Sequence, residues 1–146
     1  MGCRMNCTLK CAECGQCFTA LDIRYRCDCG GTLDVLHQLR PSDEVSLATF
    51  DERLGSKLPA DRSGVWRFRE FILPVSSDEI CTRGEGNTGL YSSARLANYV
   101  GLQSLHLKHE GENPTGSFKD RGMTVGITMA KKLGFERVAV ASTGNT

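Results

Sequence analysis

This 146-residue chain lacks an excess of either charge: 18 Lys and Arg oppose 17 Asp and Glu, for a net charge of +1. There is therefore no electrostatic footprint for nucleic acid or for an anionic membrane. Long apolar runs are missing too, since no stretch approaches the roughly 18–20 residues of a membrane span. Met1 to Lys10 carries neither the apolar centre nor the cleavage pattern of a secretory signal. Disulfides are disfavoured in consequence, and a cytoplasmic location follows by default. Internal repeats and low-complexity tracts are absent. His37, His106 and His109 are scattered, without the spacing of a metal site or a triad; they read as structural, with His109, at a strand end, the one worth testing.

What the chain does have is cysteine, and seven of its eight lie in the first 29 residues. Cys11-x-x-Cys14 followed by Cys27-x-Cys29-Gly30-Gly31 reads as two knuckles of a tetrahedral thiolate site, with glycines permitting tight turns around a metal. Zinc suits four thiolates because it is borderline soft and imposes no geometry of its own. A closed site of this kind is structural, and so small a segment needs such a staple to fold. Two readings compete: a ribbon that keeps its shape without metal, and disulfide or redox use. Cys17 competes as a ligand through Cys14-x-x-Cys17, whereas Cys3 and Cys7 precede recognisable structure and read as free thiols. Tyr25, Leu33 and Val35 are expected to pack a small β-ribbon, giving a unit over residues 1–38.

Residues 39–82 read as a connector with short helices. Pro41-Ser42-Asp43 looks like a helix start, and Asp51-Glu52-Arg53-Leu54 carries mixed charge with few large apolar groups. Trp66, Phe68, Phe71 and Ile72 are expected to anchor a short helix to the domain on its C-terminal side.

From residue 83 the periodicity changes to alternating helix and strand. Ser92 is placed to cap a helix through Ala94, Leu96 and Tyr99 that Gly101 ends. Leu105 and Leu107 alternate with His106 and Lys108 as a strand, and Met123, Ile127, Ala130 and Leu133 mark the apolar face of a second helix that stops at Gly134. Ser117 with Asp120 three residues on forms a capping-box pattern that puts Lys119 near N2. Gly122, Gly126 and Ala130 form a smooth stripe suited to lying on a sheet. Arg137-Val138-Ala139-Val140-Ala141 then reads as a strand buried on both faces, completing a parallel, right-handed βαβ unit. The loops after its two strands leave the carboxyl edge of such a unit, where open α/β sheets bind ligands. Topology thus sets Lys119 opposite the polar loop Ser142-Thr143-Gly144-Asn145-Thr146.

A lysine in that position is placed to be a nucleophile. Only a neutral amine attacks a carbonyl, and the positive end of a helix disfavours the ammonium form. That field is worth roughly 0.3–1 kcal/mol, less than the about 1.4 kcal/mol of one pKa unit, so burial or a cofactor must supply the rest. Covalent catalysis on a carbonyl cofactor is the natural use.

The run Asn113-Pro114-Thr115-Gly116-Ser117-Phe118-Lys119-Asp120-Arg121-Gly122 resembles the lysine motif of the fold-type-II pyridoxal-phosphate enzymes. Within that group, Arg83-Gly84-Glu85-Gly86-Asn87-Thr88, the loop Ser142 to Thr146, the segment Val65 to Glu70 and the cysteine-rich start are similar to the threonine synthase family. The resemblance implies an α/β fold: the N-terminal part of a fold-type-II enzyme, with its parallel βαβ sheet preceded by a small Cys-rich ribbon. It implies that Lys119 holds pyridoxal phosphate covalently and later shuttles protons, and that Asn145 hydrogen-bonds the cofactor's ring hydroxyl. By the same resemblance Ser142, Thr143 and Thr146 hold the substrate carboxylate, and the substrate is O-phosphohomoserine, converted with water to threonine and phosphate. A homodimer is implied by analogy with family members.

Two departures accompany the resemblance. A length of 146 residues suggests about one domain, whereas such a catalytic chain is much longer and carries a glycine-rich phosphate loop that is not found here. The expectation is an N-terminal fragment, inactive alone, with residues 83–146 the start of the cofactor domain. Gly89 stands where the family usually has proline, loosening that turn without removing a chemical group. Two rivals remain: a related lyase of the threonine dehydratase or cysteate synthase type, and a non-catalytic zinc-ribbon binding module.

Overall fold

In the computed structural model residues 7–38, 45–73 and 75–146 are described. The helix start expected at Pro41-Ser42-Asp43, and Cys3, lie outside them. The first unit is a three-stranded antiparallel ribbon in which β1 (Cys7–Cys11) is central, flanked by β2 (Cys17–Thr19) and β3 (Leu33–His37). Its register pairs Leu9 with Phe18 on one side and with Val35 on the other. Cys7, expected to precede structure, opens β1 and is buried, and that burial pushes its thiol up from the ordinary range. The expected ribbon packing fails in part: Tyr25 is 90% exposed and Val35 51%. Val35 stands opposite Leu9, on the face that also carries Cys7 and Cys11, and strands this short leave too little chain to cover that face from end to end.

The connecting segment is helical, with α1 (Leu47–Leu54), α2 (Pro59–Arg62), a 3₁₀ turn at Trp66–Phe68 and α3 (Arg69–Ile72). Ser46 caps α1 in a box completed by Thr49. Arg53 forks onto the Glu70 carboxylate at 2.5 and 2.9 Å, Arg69 reaches Asp61 at 2.7 Å, and Phe50 meets Phe68 edge-on with centroids 4.8 Å apart.

The remainder contains β4 (Leu90–Ser92), α4 (Ala94–Val100), β5 (His106–Lys108) and α5 (Asp120–Lys132). Ser93, not Ser92, caps α4 by accepting the Leu96 N–H, and Gly101 ends it in the left-handed region. Ser92 is taken by the antiparallel β4–β5 ladder, opposite His106. The expected parallel pairing is not formed among the described residues. Arg137 to Ala141 is not in a strand, and Val138 and Val140 are half-exposed. An extended segment holds as a strand only when a neighbour takes its N–H and C=O groups, and the ladder of β5 is with β4.

The face that α5 buries also differs from expectation. Gly122 and Gly126 are exposed, while Thr124 and Thr128 are buried. The Trp66 indole N–H, on a fully buried ring, donates to Thr124 Oγ1 at 2.7 Å, and Thr124 in turn donates to the Cys81 carbonyl at 2.6 Å. Thr128 Oγ1 accepts the Cys81 N–H at 3.0 Å. Two threonines one turn apart thus receive an otherwise unpaired strip of backbone, which glycine could not do. Val125 and Met129 carry the contact onward to a cluster containing Trp66, Leu73 and, from the ribbon, Cys7 and Ala20. No helix among the described residues is long and apolar enough to cross a membrane.

Candidate functional site

Lys119 occupies the N-cap position of α5 and is exposed. Its own N–H donates to Ser117 Oγ at 3.1 Å, and Ser117 is buried. The anticipated capping box is replaced: the Asp120 carboxylate turns back to take the Thr115 N–H at 2.8 Å and the Thr115 hydroxyl at 2.5 Å. The chain enters α5 through a tight turn, with Asp120 and Arg121 N–H groups reaching the Ser117 and Phe118 carbonyls, so the regular helix begins one residue after the lysine. Among the described residues the Lys119 amine makes no ion pair or hydrogen bond.

The residues around it are held firmly. Glu110 accepts Arg121 Nε and Nη2, both at 2.8 Å, and the Thr88 hydroxyl at 3.1 Å. Hydrogen bonding from Arg121, followed by that from Asn113 and Thr88, holds its carboxyl down at about 2. Asn113, buried, accepts the Gly86 N–H at 2.9 Å and donates to the Glu110 carbonyl at 2.8 Å. Lys119 is therefore bracketed by Ser117, Asp120 and Arg121, each committed to the loop, while its own amine stays available.

Behind this loop lies Glu85, 2% exposed and without an ion pair among the described residues. Its carboxylate accepts Ser63 Oγ at 2.6 Å, Thr82 Oγ1 at 2.8 and 3.0 Å and the Arg83 N–H at 2.9 Å. Burial alone would raise its carboxyl; these donors, Ser63 foremost, outweigh that and leave it below the ordinary range. Gly64 and Gly86 make the site possible by close approach: a Cβ on Gly64 would lie 2.1 Å from the Asn87 nitrogen. Because the folded-state pKa lies below the unfolded value of about 4.3, Glu85 contributes stability that is present above about pH 4.3 and lost as pH falls through the folded value. Glu85→Gln is expected to cost about 2 kcal/mol at pH 7, because an amide cannot accept from every donor. The urea midpoint measured at pH 7 and pH 4 checks this: the gap between wild type and variant should narrow at the lower pH.

The loop Ser142 to Thr146 is exposed. Ser142 Oγ accepts the Gly144 and Thr146 N–H groups, each at 3.0 Å. A cavity of about 380 Å³ brings Thr146 together with Arg83, Thr115, Asp120, Met123 and Ile127 at the start of α5. Lys119, Ser142, Thr143 and Asn145 are not among its lining residues.

At the other end of the chain Cys11, Cys14, Cys27 and Cys29 converge, with all four sulfurs within 4.8 Å of one another. Cys11 and Cys29 are 3.6 Å apart, and Cys14 and Cys27 3.5 Å. Four sulfurs at about 2.3 Å from a central zinc would stand about 3.8 Å apart, so the cluster fits a tetrahedral ion, and no sulfur is in a disulfide. Gly31 closes the pocket, since a Cβ there would come within 2.7 Å of Cys11 Sγ. The Cys14 N–H, 3.5 Å away, leads in drawing the Cys11 thiol down to about 6. Cys27, although the Cys29 N–H favours its thiolate, is pushed up to about 12 by burial and by its thiol neighbours. Cys17 is exposed and outside the group, its thiol near the Gly15 carbonyl.

Comparison with known proteins bears on the second half of the chain first. Residues 81–146 match the model of the family described as pyridoxal-phosphate dependent enzyme. That segment is similar to the family over its whole length. Over 137 residues the chain is 41% identical to the threonine synthase of Methanocaldococcus jannaschii, an alignment covering 94% of this chain and 32% of that protein. It is 46% identical over 139 residues to the threonine synthase of Methanosarcina acetivorans, with the same coverage of each. It is 36% identical over 136 residues to threonine synthase 2, chloroplastic, of Arabidopsis thaliana, covering 86% of this chain and 26% of that protein. The chain thus spans about a third of the length of the curated relatives it matches.

Several residues that shape this segment carry no role in the sequence patterns. Glu110, Glu112 and Arg121 look like ordinary surface charges, and Thr124 and Thr128 like poor helix residues. The one available signal was spacing: two acids separated by one residue just before Asn113-Pro114, and two threonines at i, i+4.

Proposed function

We propose that the whole protein is a threonine synthase, converting O-phosphohomoserine and water to threonine and phosphate, and that this chain is the part carrying its lysine. The observation that carries the reading is Lys119: an amine without a partner among the described residues, at the head of a helix whose neighbouring side chains are all engaged, within a segment matching the pyridoxal-phosphate family. Pyridoxal phosphate, when bound, supplies a ring that takes up the negative charge left at the substrate's α carbon. Lys119 would hold it through Nζ, and the same Nζ, when free, would carry protons from the substrate's α and β carbons. Asn145 serves the ring hydroxyl, and Ser142, Thr143 and Thr146 orient the substrate carboxylate. In the whole protein we place Arg137 to Ala141 in a parallel strand beside the Lys119 helix, which would bring that loop to the lysine's edge.

We further read residues 1–38 as a ribbon closed by one structural zinc on Cys11, Cys14, Cys27 and Cys29, supported by the sulfur separations. Residues 39–82 serve as the connector and 83–146 as the start of the cofactor domain. A cytoplasmic homodimer acting on a small molecule, without nucleic acid or membrane, completes the proposal. The test is direct: the whole protein should release inorganic phosphate from O-phosphohomoserine with stoichiometric threonine. Ammonia release from threonine instead would mean a dehydratase, and uptake of sulfite with phosphate loss a cysteate synthase.

A further inference from the structure

Where the β4–β5 ladder ends, the two segments stay joined by other means. The last rungs are Leu90 with Lys108 and the His109 N–H donating to the Gly89 carbonyl at 3.0 Å. Beyond them the chain turns away through a 3₁₀ turn at Glu110–Glu112, and side chains take over from backbone. Glu112 Oε2 accepts the Gly89 N–H at 2.5 Å, and Glu112 Oε1 accepts the Tyr91 hydroxyl. Gly86 and Thr88 are fastened in the same way to Asn113 and Glu110.

Gly89 is the decisive residue here. Proline, which the resembling signature carries at this place, has no N–H to give. A Cβ on Gly89 would also come within 2.4 Å of the Tyr91 ring, so the ring would have to swing away from its present place. The bare backbone, the ring folded over it and the carboxylate that takes both donors therefore form one unit. Glu112 is exposed, so burial does not impose these partners on it. It also stands immediately before Asn113, at the root of the loop that carries Lys119.

We infer that Glu112 is a positioning residue: by taking the Gly89 N–H and the Tyr91 hydroxyl together, it fixes the root of the Lys119 loop against the Gly86–Tyr91 segment and sets where the lysine amine meets its carbonyl partner. The inference rests on the reading of Lys119 given under the proposed function. The Tyr91 contact also gives it a readout of its own. A hydrogen bond to the carboxylate and the charge behind it hold the Tyr91 phenol above its ordinary range, so losing the contact returns Tyr91 to ordinary ionisation.

The experiment uses the whole protein as wild type, Glu112→Gln, Tyr91→Phe and the double variant. Each is exposed to limiting pyridoxal phosphate, trapped with borohydride at intervals, and the Lys119 peptide quantified by mass. Tyr91 ionisation is followed by NMR with labelled tyrosine, and thermal midpoints are recorded. Each single variant should slow capture at Lys119 by about tenfold, since small displacements of a reacting group are costly. The double variant should be no slower than the singles, because both remove one unit, and midpoints should stay within a few degrees. Capture at the wild-type rate once Tyr91 ionises ordinarily would overturn the inference, as would slowing that merely tracks a fall in midpoint, or unchanged Tyr91 ionisation in Glu112→Gln. If wild type is modified elsewhere and not at Lys119, the functional reading itself falls, and the inference with it.

Discussion

Lys119→Ala in the whole protein should lower the rate of phosphate release from O-phosphohomoserine by about 10⁴-fold or more, because under the proposed function one side chain would serve both as the covalent anchor and as the proton carrier. Its thermal midpoint should hardly move. Lys119 is exposed and its amine touches nothing among the described residues, while the turn that presents it is built by Ser117, Asp120 and Arg121. Lys119→Arg should be about as inactive, since a guanidinium stays protonated and cannot form the bond. Activity within about tenfold of wild type in either variant would remove the lysine from the chemistry. A parallel loss of folding would instead make it a structural residue. The two measurements together, initial rate and midpoint, separate these outcomes.

How far the sequence could be read varied with the kind of information each element carries. Helix α5 was legible because its apolar period and its glycine stop are local properties, and Gly134 does close it in the left-handed region. The convergence of the cysteines was legible because each pair is close in sequence and bounded by turn-forming glycines, and the four expected to meet are the four whose sulfurs converge. The face that α5 buries was not legible. Gly122, Gly126 and Ala130 suggested close packing, yet burial goes to Thr124 and Thr128 because the Cys81 backbone and the Trp66 indole need hydrogen-bond partners. Such a need arises from a segment more than forty positions away, which no local pattern reveals.

Strand pairing failed for a related reason. Arg137 to Ala141 has the composition of a buried strand, but composition does not create a neighbour, and β5 pairs instead with β4, a strand of three residues that the reading did not anticipate. Around Lys119 the motif itself was plain, whereas its supports were not. Glu110 and Arg121 are eleven residues apart and meet only because the loop between them turns back. Glycine at position 89 implies a looser turn, and in the structure it also offers a backbone N–H that Glu112 accepts.

Under the proposal of a zinc on the four thiolates, the ribbon should lose its fold on removal of that ion, and this is the second large effect expected. Its strands hold five, three and five residues. Ile23, Tyr25, Val35 and Leu36 are exposed, while its buried groups are chiefly Cys7, Cys11, Ala20 and Cys27. So little apolar burial cannot offset the entropy of ordering some thirty residues. A structural zinc site, worth about 10–16 kcal/mol in small peptides near neutral pH, is of the size required. The whole protein should therefore contain one zinc per ribbon by elemental analysis, and a strong chelator should abolish amide-exchange protection in β1. Cys29→Ser should bring the same loss, because its sulfur stands 3.6 Å from that of Cys11. Cys17→Ser should bring none, because Cys17 lies outside the group. The effect should spread inward, since Cys7 and Ala20 share a cluster with Leu73 and Trp66, so protection near Trp66 should weaken as well. Full β1 protection in metal-free protein would mean that the ribbon stands on its own packing. Protection lost only under reducing agent would mean that disulfides, not zinc, hold it.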